Sequence, residues 1–563
     1  MEFPSHRACS VCAVSTLAAA AVFPVLIAQA QTQVPTFRAA TRLVELSVTA
    51  LDRRGQPVTD LKLEDFTIEE GGKVRPITFF KYEGGPSTEP NALPLPAGLF
   101  TNRVEFTPGP PRNITALLLD ELNTPVQNSM RVRAMAMKYL KALAPRSRMA
   151  VYQMSGELRV LHDFTDDADS LRRRIDKALI AMPLETTVDV DKAVIEAEQF
   201  VEMFATDRQL AAEAVDIARS RLETDMLANA QARSFRLAKT LAAIDSLGQH
   251  LSGIPGRKNL VWIGGGISIS SVTGALGTGP HGSIETFEDK VKRSSQRLAQ
   301  QGVVLYVVDA KGLEVSRSQS AEAAGSLPVR GRGRFEPQQD AERLSEDTFP
   351  AMDMMSSMTG GRYLHNSNDL AAGFKSAAAD LAGSYTLGFY VSEEPDNKWH
   401  TLKASVKRSG VELRHRKGYL ADPIVSAPTL WTNEMTMAAI SNPVGSSAVQ
   451  LTAYCGPSAN GEAGTLVANL QIEAASLRFQ TEGANLQARI QVIFAERGPA
   501  GETRLMSDAP TVTIPTQNWD AAQKEGLRYS RQWKPAPNAV SVRIIVHDMT
   551  TGRYGTLDVP LKK

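Results

Sequence analysis

Between residues 112 and 391, short apolar runs alternate with amphipathic segments, and this alternation restricts the fold more than any other feature of the sequence. Three apolar runs predict strands that are buried on both faces: Ile114–Leu119, Leu260–Ile263 and Val303–Val308. Apolar residues at helical spacing predict helices over 130–143 and 165–182. Such an order of strands and helices predicts an α/β domain with a doubly wound, mainly parallel, Rossmann-like sheet.

The segments on either side of residues 112–391 predict β structure. Residues 36–83 alternate between apolar and polar side chains around a turn cluster, and they predict an N-terminal β module. Residues 84–111 are rich in proline and glycine and predict a stiff linker. Residues 400–563 hold short strand candidates between turns and predict a C-terminal β-rich domain. We therefore expect an α/β domain flanked by small β-sandwich modules.

Two insertions are predicted within the α/β domain. Residues 189–251 contain no proline and a single glycine, and Thr206–Gln209 resembles a capping box, so we expect two helices. These helices are expected to pack against their own domain, and an arm that binds a partner is the alternative. Residues 310–345 contain the cluster Arg330–Arg334 without interleaved aromatic residues, which favours a disordered surface loop over a nucleic-acid site.

The amino terminus predicts export. An apolar stretch followed by Ala28–Ala30 indicates a signal peptide over residues 1–30, so we expect a periplasmic or extracellular protein. No later segment is apolar over the roughly 20 residues that a membrane span needs. After cleavage only Cys455 is left, which excludes an intrachain disulfide. The 62 basic residues balance the 61 acidic ones, so no overall field would attract nucleic acid.

The segment Leu118–Thr124 contains the side chains that are best suited to bind a ligand or a metal ion. Asp120 follows the first predicted strand, and ligands of open α/β sheets bind beyond the carboxyl ends of strands. The segment resembles the metal-ion-dependent adhesion motif of von Willebrand factor type A (VWA) domains, Asp-x-Ser-x-Ser. Thr186 lies in the loop after the second predicted helix, and Leu260–Ile263 stands where the fourth strand is expected. The order of elements is similar to that of the VWA-related exported proteins common in acidobacteria.

The resemblance implies a Mg²⁺ site formed by Asp120, Thr124 and Thr186. The sequence departs from the motif at Leu122, which replaces the first serine, and at Gly264, where the family usually has an aspartate. Because Mg²⁺ requires near-octahedral oxygen ligation, the loss of two oxygen sources predicts a degenerate site. If no metal binds, Asp120 is expected to cap the adjoining helix or to accept backbone N–H groups.

From these features we expect a non-enzymatic exported protein that binds another protein through the carboxyl edge of its sheet. The residues predicted to contact the partner are Glu121, Asn123, Gly264 and Gly265. The sequence contains neither His-Glu-x-x-His nor Gly-x-Ser-x-Gly, which speaks against two common hydrolase classes. A metal-dependent hydrolase, in which a cation on Asp120 activates water, is one alternative. A purely structural envelope protein is the other.

Overall fold

The computed structural model describes much of the chain from residue 42 to residue 561. The stretches outside the described residues are 1–41, 84–94, 97, 104–112, 126–127, 143–147, 179–189, 205, 255–256, 268–286, 311–348, 366–379, 381–382, 392–395, 397, 422–430, 432, 459–462, 500 and 562–563. The predicted signal peptide, Thr186 and all but the first residue of the predicted loop insertion 310–345 therefore lie outside the described residues. No described helix is both long enough and apolar enough to cross a membrane.

The strands follow one another along the chain in three groups. The first group is β1 (Arg42–Asp52), β2 (Phe66–Glu70), β3 (Lys73–Arg75), β4 (Phe79–Tyr82) and β5 (Leu99–Thr101). The second is β6 (Asn113–Asp120), β7 (Arg148–Met154), β8 (Leu158–Thr165), β9 (Arg257–Gly264), β10 (Val303–Asp309) and β11 (Arg362–Leu364). The third is β12 (Ser384–Val391), β13 (Trp399–Val406), β14 (Val411–His415), β15 (Gly418–Leu420), β16 (Leu451–Pro457), β17 (Leu466–Ile472), β18 (Gln480–Glu482), β19 (Asn485–Arg497), β20 (Thr503–Asp508), β21 (Thr511–Pro515), β22 (Leu527–Trp533), β23 (Ser541–Asp548) and β24 (Tyr554–Pro560).

The helices lie mainly within the second group of strands. They are α1 (Ser129–Ala142), α2 (Ala168–Lys177), α3 (Val190–Met203), α4 (Arg208–Ser252), α5 (Phe287–Gln300), α6 (Phe349–Thr359), α7 (Asn433–Ser441) and α8 (Trp519–Glu525).

The second group forms a six-stranded sheet in the order β11-β10-β9-β6-β7-β8. Its neighbouring strands are parallel except at one edge, where β8 runs antiparallel to β7. From β6 the chain builds outward to β7 and β8, and it then returns to the other side of β6 with β9. This order confirms a doubly wound, mainly parallel α/β sheet, and the switch point lies between the carboxyl ends of β6 and β9.

Both faces of this sheet are covered, which explains why its central strands are continuously apolar. Leu117 and Leu119 of β6 pack with α1 and α2 on one face. Leu118 packs on the other face with α5, α6 and the carboxyl-terminal half of α4, including Ile244 and Leu247. Since side chains of a strand alternate between faces, one apolar run supplies two separate cores.

The predicted helical insertion contains two helices, α3 and α4. Asp207 is the N-cap of α4, and its carboxylate accepts hydrogen bonds from the backbone N–H groups of Gln209 and Leu210 at 2.9 and 3.2 Å. The carboxyl-terminal half of α4 belongs to the sheet core. Its amino-terminal half packs along α3 instead, and the side chains buried there include Ala214 and Ala218.

The first β-sandwich is assembled from both ends of the α/β region, which differs from the predicted boundaries. Its sheets have the orders β14-β1-β12-β4 and β15-β13-β2-β3, so residues 36–83 do not form a module alone. Strand β12, expected to complete the α/β domain that ends at residue 391, runs antiparallel to β1 instead. The reason is that Tyr385, Leu387 and Phe389 point into the core of this sandwich.

The second β-sandwich contains the sheets β22-β17-β16-β5 and β18-β19-β23-β24, with β20 and β21 also paired to β19. Strand β5 comes from the predicted linker 84–111, because Phe100 packs against the core of this sandwich and β5 pairs with β16. Cys455 is half-buried against the same core. The chain therefore passes between the α/β sheet and the two β-sandwiches more often than the predicted boundaries imply.

Candidate functional site

The carboxylate of Asp120 lies at the switch point of the six-stranded sheet and is fully buried, with 0% of the residue exposed. Its Oδ1 accepts a hydrogen bond from the backbone N–H of Asn123 at 2.9 Å. Its Oδ2 accepts from the side-chain amide of Asn123 at 2.8 Å and from the indole N–H of Trp262 at 2.9 Å. Three donors thus surround the group that the sequence singled out as the main metal ligand.

Thr124 extends this network to the neighbouring strand. Its hydroxyl donates to the backbone carbonyl of Asp120 and accepts from the backbone N–H of Gly265 at 2.9 Å. The Asn123 amide also donates to the hydroxyl of Thr240 on α4 at 2.8 Å. The end of β6, the glycine loop after β9 and helix α4 are therefore joined by hydrogen bonds.

Glu121 is held on the other side of the β6 end. It is buried, and its Oε2 accepts a hydrogen bond from the side-chain amide of Gln153 at 2.9 Å. The backbone N–H groups of Glu121 and Leu122 both donate to the carbonyl of Met154. Leu122, which replaces a motif serine, has its side chain in the apolar core beside α4. Both residues thus fasten the loop to the domain.

The glycines after β9 permit a close approach of two chain segments. A Cβ placed on Gly264 would lie 2.6 Å from Cβ of Asp120, and one on Gly265 would lie 2.3 Å from the carbonyl oxygen of Asn123. Neither position has room for a side chain without a shift of the backbone. A side chain at position 264 would therefore require the end of β6 or of β9 to move.

Burial governs the protonation of Asp120. Removal from water raises the pKa of its carboxyl to about 6, while the hydrogen bonds from Asn123 and Trp262 act in the opposite direction. Burial thus disfavours the charged form of this carboxyl, and the N–H donors of Asn123 and Trp262 partly offset that effect.

These residues do not fit a divalent metal ion. Mg²⁺ needs near-octahedral oxygen ligation at about 2.1 Å and keeps several of its waters, whereas Asp120 and Thr124 are buried. Both carboxylate oxygens of Asp120 already accept hydrogen bonds, and the hydroxyl of Thr124 both donates and accepts. Within the described ranges, no three or more His, Cys, Asp or Glu side chains converge in a way that could hold a metal. Thr186, the third predicted ligand, lies outside the described residues.

The residues predicted to contact a partner are brought together, but most of them are not accessible. Glu121, Gly264 and Gly265 are buried, and Asn123 is half-buried. An approaching protein would therefore meet little of their surface in this arrangement.

Trp262 and Thr240 belong to the site and were missed by the sequence reasoning. A signal for Trp262 existed, because a buried indole N–H requires an acceptor and this one interrupts an otherwise aliphatic run two residues before Gly264. Thr240 gave no such signal, since it lies on a helix 117 residues away from Asn123 along the chain.

Comparisons with known proteins find only distant similarity to this chain. No family model and no curated protein sequence matches it. Similar solved structures include an aerotolerance-related membrane protein from Bacteroides fragilis, with 10% identity, a TM-score of 0.23, and coverage of 48% of this chain and 98% of that chain. Another is proximal thread matrix protein 1 from the mussel byssus with a zinc occupied MIDAS motif (9% identity, TM-score 0.22, 48% of each chain). A third is the manganese-loaded TRAP protein of Plasmodium vivax (9% identity, TM-score 0.20, 57% of this chain and 95% of that chain). At these scores the class of the fold is defined by its own strand order, which is that of a doubly wound α/β domain.

Proposed function

We propose that this chain is a VWA-like, non-enzymatic exported protein that binds another protein without a metal ion at Asp120. The supporting observation is the hydrogen-bond network in which three N–H donors contact the buried Asp120 carboxylate. A binding mode in which a partner completes the coordination of a cation needs accessible ligand oxygens, and those of Asp120 and Thr124 are buried and hydrogen-bonded within the chain. The motif position acts as a structural junction between β6, β9 and α4.

The surface that we propose for binding is the α3–α4 arm, defined as α3 and the amino-terminal half of α4. Helix α3 packs along this half of α4, whose buried residues there contribute to none of the apolar cores of the sheet. Large apolar side chains are exposed on it: Met203 (72%), Leu210 (47%) and Ile217 (57%). We infer that these side chains form part of the surface that contacts the partner.

The two alternatives have less support. A hydrolase in which a cation on Asp120 activates water would need an accessible carboxylate, and Asp120 is enclosed by Asn123 and Trp262. A purely structural role explains the network around Asp120, but it gives no reason for exposed Leu210 and Ile217 on the arm. The proposal also includes that the protein is exported and that it is similar to the VWA-related exported proteins of acidobacteria.

The first test concerns the metal. Thermal unfolding of the wild type should shift by less than about 1 °C between excess EDTA and millimolar MgCl₂ or MnCl₂, since a ligand at 100 times its Kd would stabilise the fold by about 2.7 kcal/mol. Asp309→Asn, at the end of β10, is the matched control for Asp120→Asn. A saturable rise in Tm with either cation, abolished in Asp120→Asn and kept in Asp309→Asn, would overturn the metal-free site.

The second test concerns the arm. Affinity capture from an exported fraction should yield the same partner in EDTA as in Mg²⁺, and Ile217→Asp should reduce its recovery at least tenfold. Val540→Asp is the control, because Val540 is also an exposed apolar residue (44%) but its backbone N–H donates to the carbonyl of Arg497 in the second β-sandwich. Equal losses in the two variants, or recovery that depends on Mg²⁺, would contradict the proposal.

A further inference from the structure

A groove of about 460 Å³ lies on the second β-sandwich, at the sheet β22-β17-β16-β5 and far from the proposed arm in sequence. Ligand sites commonly have volumes of a few hundred Å³. The side chains that give this groove its chemistry are Leu99, Thr452, Asn469, Gln471, Arg528 and Ser530. Most of them are amides or hydroxyls, which can both donate and accept hydrogen bonds.

Strand register places these groups on one face. Asn469 of β17 lies opposite Ser530 of β22, and Gln471 lies opposite Arg528 on one side and Thr452 on the other. Since alternate residues of a strand share a face, the polar side chains form a patch across three adjacent strands. At about 4.8 Å per strand, this patch is about 10 Å wide, which is the length of about two sugar rings.

Contacts within the groove orient its amides and leave part of their capacity unused. The hydroxyl of Ser530 donates to Oδ1 of Asn469 at 2.8 Å, so the Nδ2 group of Asn469 is a donor for which the described residues offer no partner. The Nε2 group of Gln471 donates to the carbonyl of Glu525, which leaves Oε1 of Gln471 as an acceptor. A fixed donor and a fixed acceptor therefore lie two residues apart on β17.

An aromatic side chain borders the same face. Tyr454 of β16 pairs with Asn469 on one side and Leu99 on the other, and 43% of it is exposed. A Cβ on Gly98 would lie 3.2 Å from Cε2 of Tyr454, and one on Gly456 would lie 2.8 Å from its hydroxyl oxygen. Because both glycines lack side chains, the ring lies close to the backbone and keeps an apolar surface open to solvent.

The charged side chains that line the groove restrict the class of ligand that it can bind. Among the described lining residues, Arg528 is the single charged side chain and no carboxylate is present. Arg528 also forms an exposed ion pair with Glu525 at 3.7 Å, which partly offsets its charge. The groove thus offers amides and hydroxyls, with the ring of Tyr454 next to it on the same sheet, rather than a strong field of either sign.

We infer that this groove binds a neutral glycan chain. Sugar hydroxyls match the fixed donor of Asn469 and the fixed acceptor of Gln471, and the apolar C–H face of a pyranose ring covers the exposed ring of Tyr454. The site is separate from the arm and from Asp120, so either proposal can fail without the other.

Affinity electrophoresis of the full chain tests this inference. The gels contain one soluble polysaccharide each: a β-1,4-glucan, an α-1,4-glucan, a mannan, a xylan or the acidic polymer polygalacturonate. We expect at least one neutral polymer to retard the wild type, and Tyr454→Ala or the double variant Asn469→Ala/Gln471→Ala to weaken the apparent affinity at least tenfold. Tyr390→Ala is the control, since Tyr390 is an exposed tyrosine (52%) on the first β-sandwich.

Three outcomes would overturn the inference. The first is no retardation of the wild type by any neutral polymer. The second is equal affinity of Tyr454→Ala and Tyr390→Ala. The third is retardation by polygalacturonate alone that depends on Arg528 and not on Tyr454, which would assign the groove to an acidic ligand. Unfolding midpoints within about 2 °C of the wild type establish that each variant is folded, and exposed positions of this kind rarely change stability by more than about 0.5 kcal/mol.

Discussion

The end of β6 at Asp120, which we call the rim, and the groove at Asn469 contain similar polar side chains. They differ in how much of the hydrogen-bonding capacity of these side chains is unused. At the rim, the carboxylate of Asp120 and the hydroxyl of Thr124 are buried and hydrogen-bonded to other groups of the chain. In the groove, the internal contacts of Asn469 and Gln471 leave a donor and an acceptor open. A ligand site therefore depends on unused hydrogen-bonding capacity, which residue types alone do not reveal.

The largest expected effect comes from the titration of Asp120. Burial raises the pKa of its carboxyl from 3.8 to about 6, so the neutral acid is favoured by folding. Its contribution to stability is full below pH 3.8 and is lost as the pH rises through about 6, and this gap corresponds to about 3 kcal/mol. We expect the local unfolding free energy of β6, relative to Asp120→Asn, to fall by up to this amount between pH 4 and pH 7.

Native-state hydrogen exchange of the β6 amides is the suitable measurement, because unfolding of a chain with several cores is not a two-state process. The difference between wild type and Asp120→Asn is needed since other groups titrate in the same range. Burial lowers the pKa of His547 to about 4, so its stabilising contribution is full above pH 6.5 and is lost as the pH falls through about 4. A difference curve that is flat from pH 4 to pH 7 would contradict the role assigned to burial of Asp120.

A smaller effect is expected when one donor of the rim is removed. Trp262→Phe deletes the N–H group that donates to Oδ2 of Asp120, and a hydrogen bond to a charged group contributes about 2 kcal/mol. Trp431→Phe is the matched control, because the indole nitrogen of Trp431 is buried and has no hydrogen-bond partner among the described residues. Exchange at β6 should be faster in Trp262→Phe alone. Equal effects at β6 would remove the hydrogen bond as the cause.

The sequence predicted the doubly wound, mainly parallel sheet because its central strands are buried on both faces and are therefore continuously apolar. It did not predict the partners of β12, since an apolar strand such as Ser384–Val391 fits the α/β sheet and the sandwich equally well. Asp120 and Thr124 lie together, as the resemblance to the VWA motif implied. The hydrogen bonds from Trp262 and Asn123 to the carboxylate depend on three-dimensional packing, so the sequence did not predict them.

The smallest change in unfolding free energy is expected for substitutions in the groove, in contrast to those at the rim. Asn469→Ala and Gln471→Ala remove exposed side chains, so each should change the unfolding free energy of the second sandwich by no more than about 0.5 kcal/mol. Hydrogen exchange of the β17 amides measures this change, with Thr452→Ala as a comparison because Thr452 is buried and its hydroxyl lies 3.0 Å from that of Thr101. A loss above 1 kcal/mol in either amide variant would indicate that its side chain stabilises the sheet. Asn469 and Gln471 would then have a structural role, as Asp120 does. The distinction between the rim and the groove would fail.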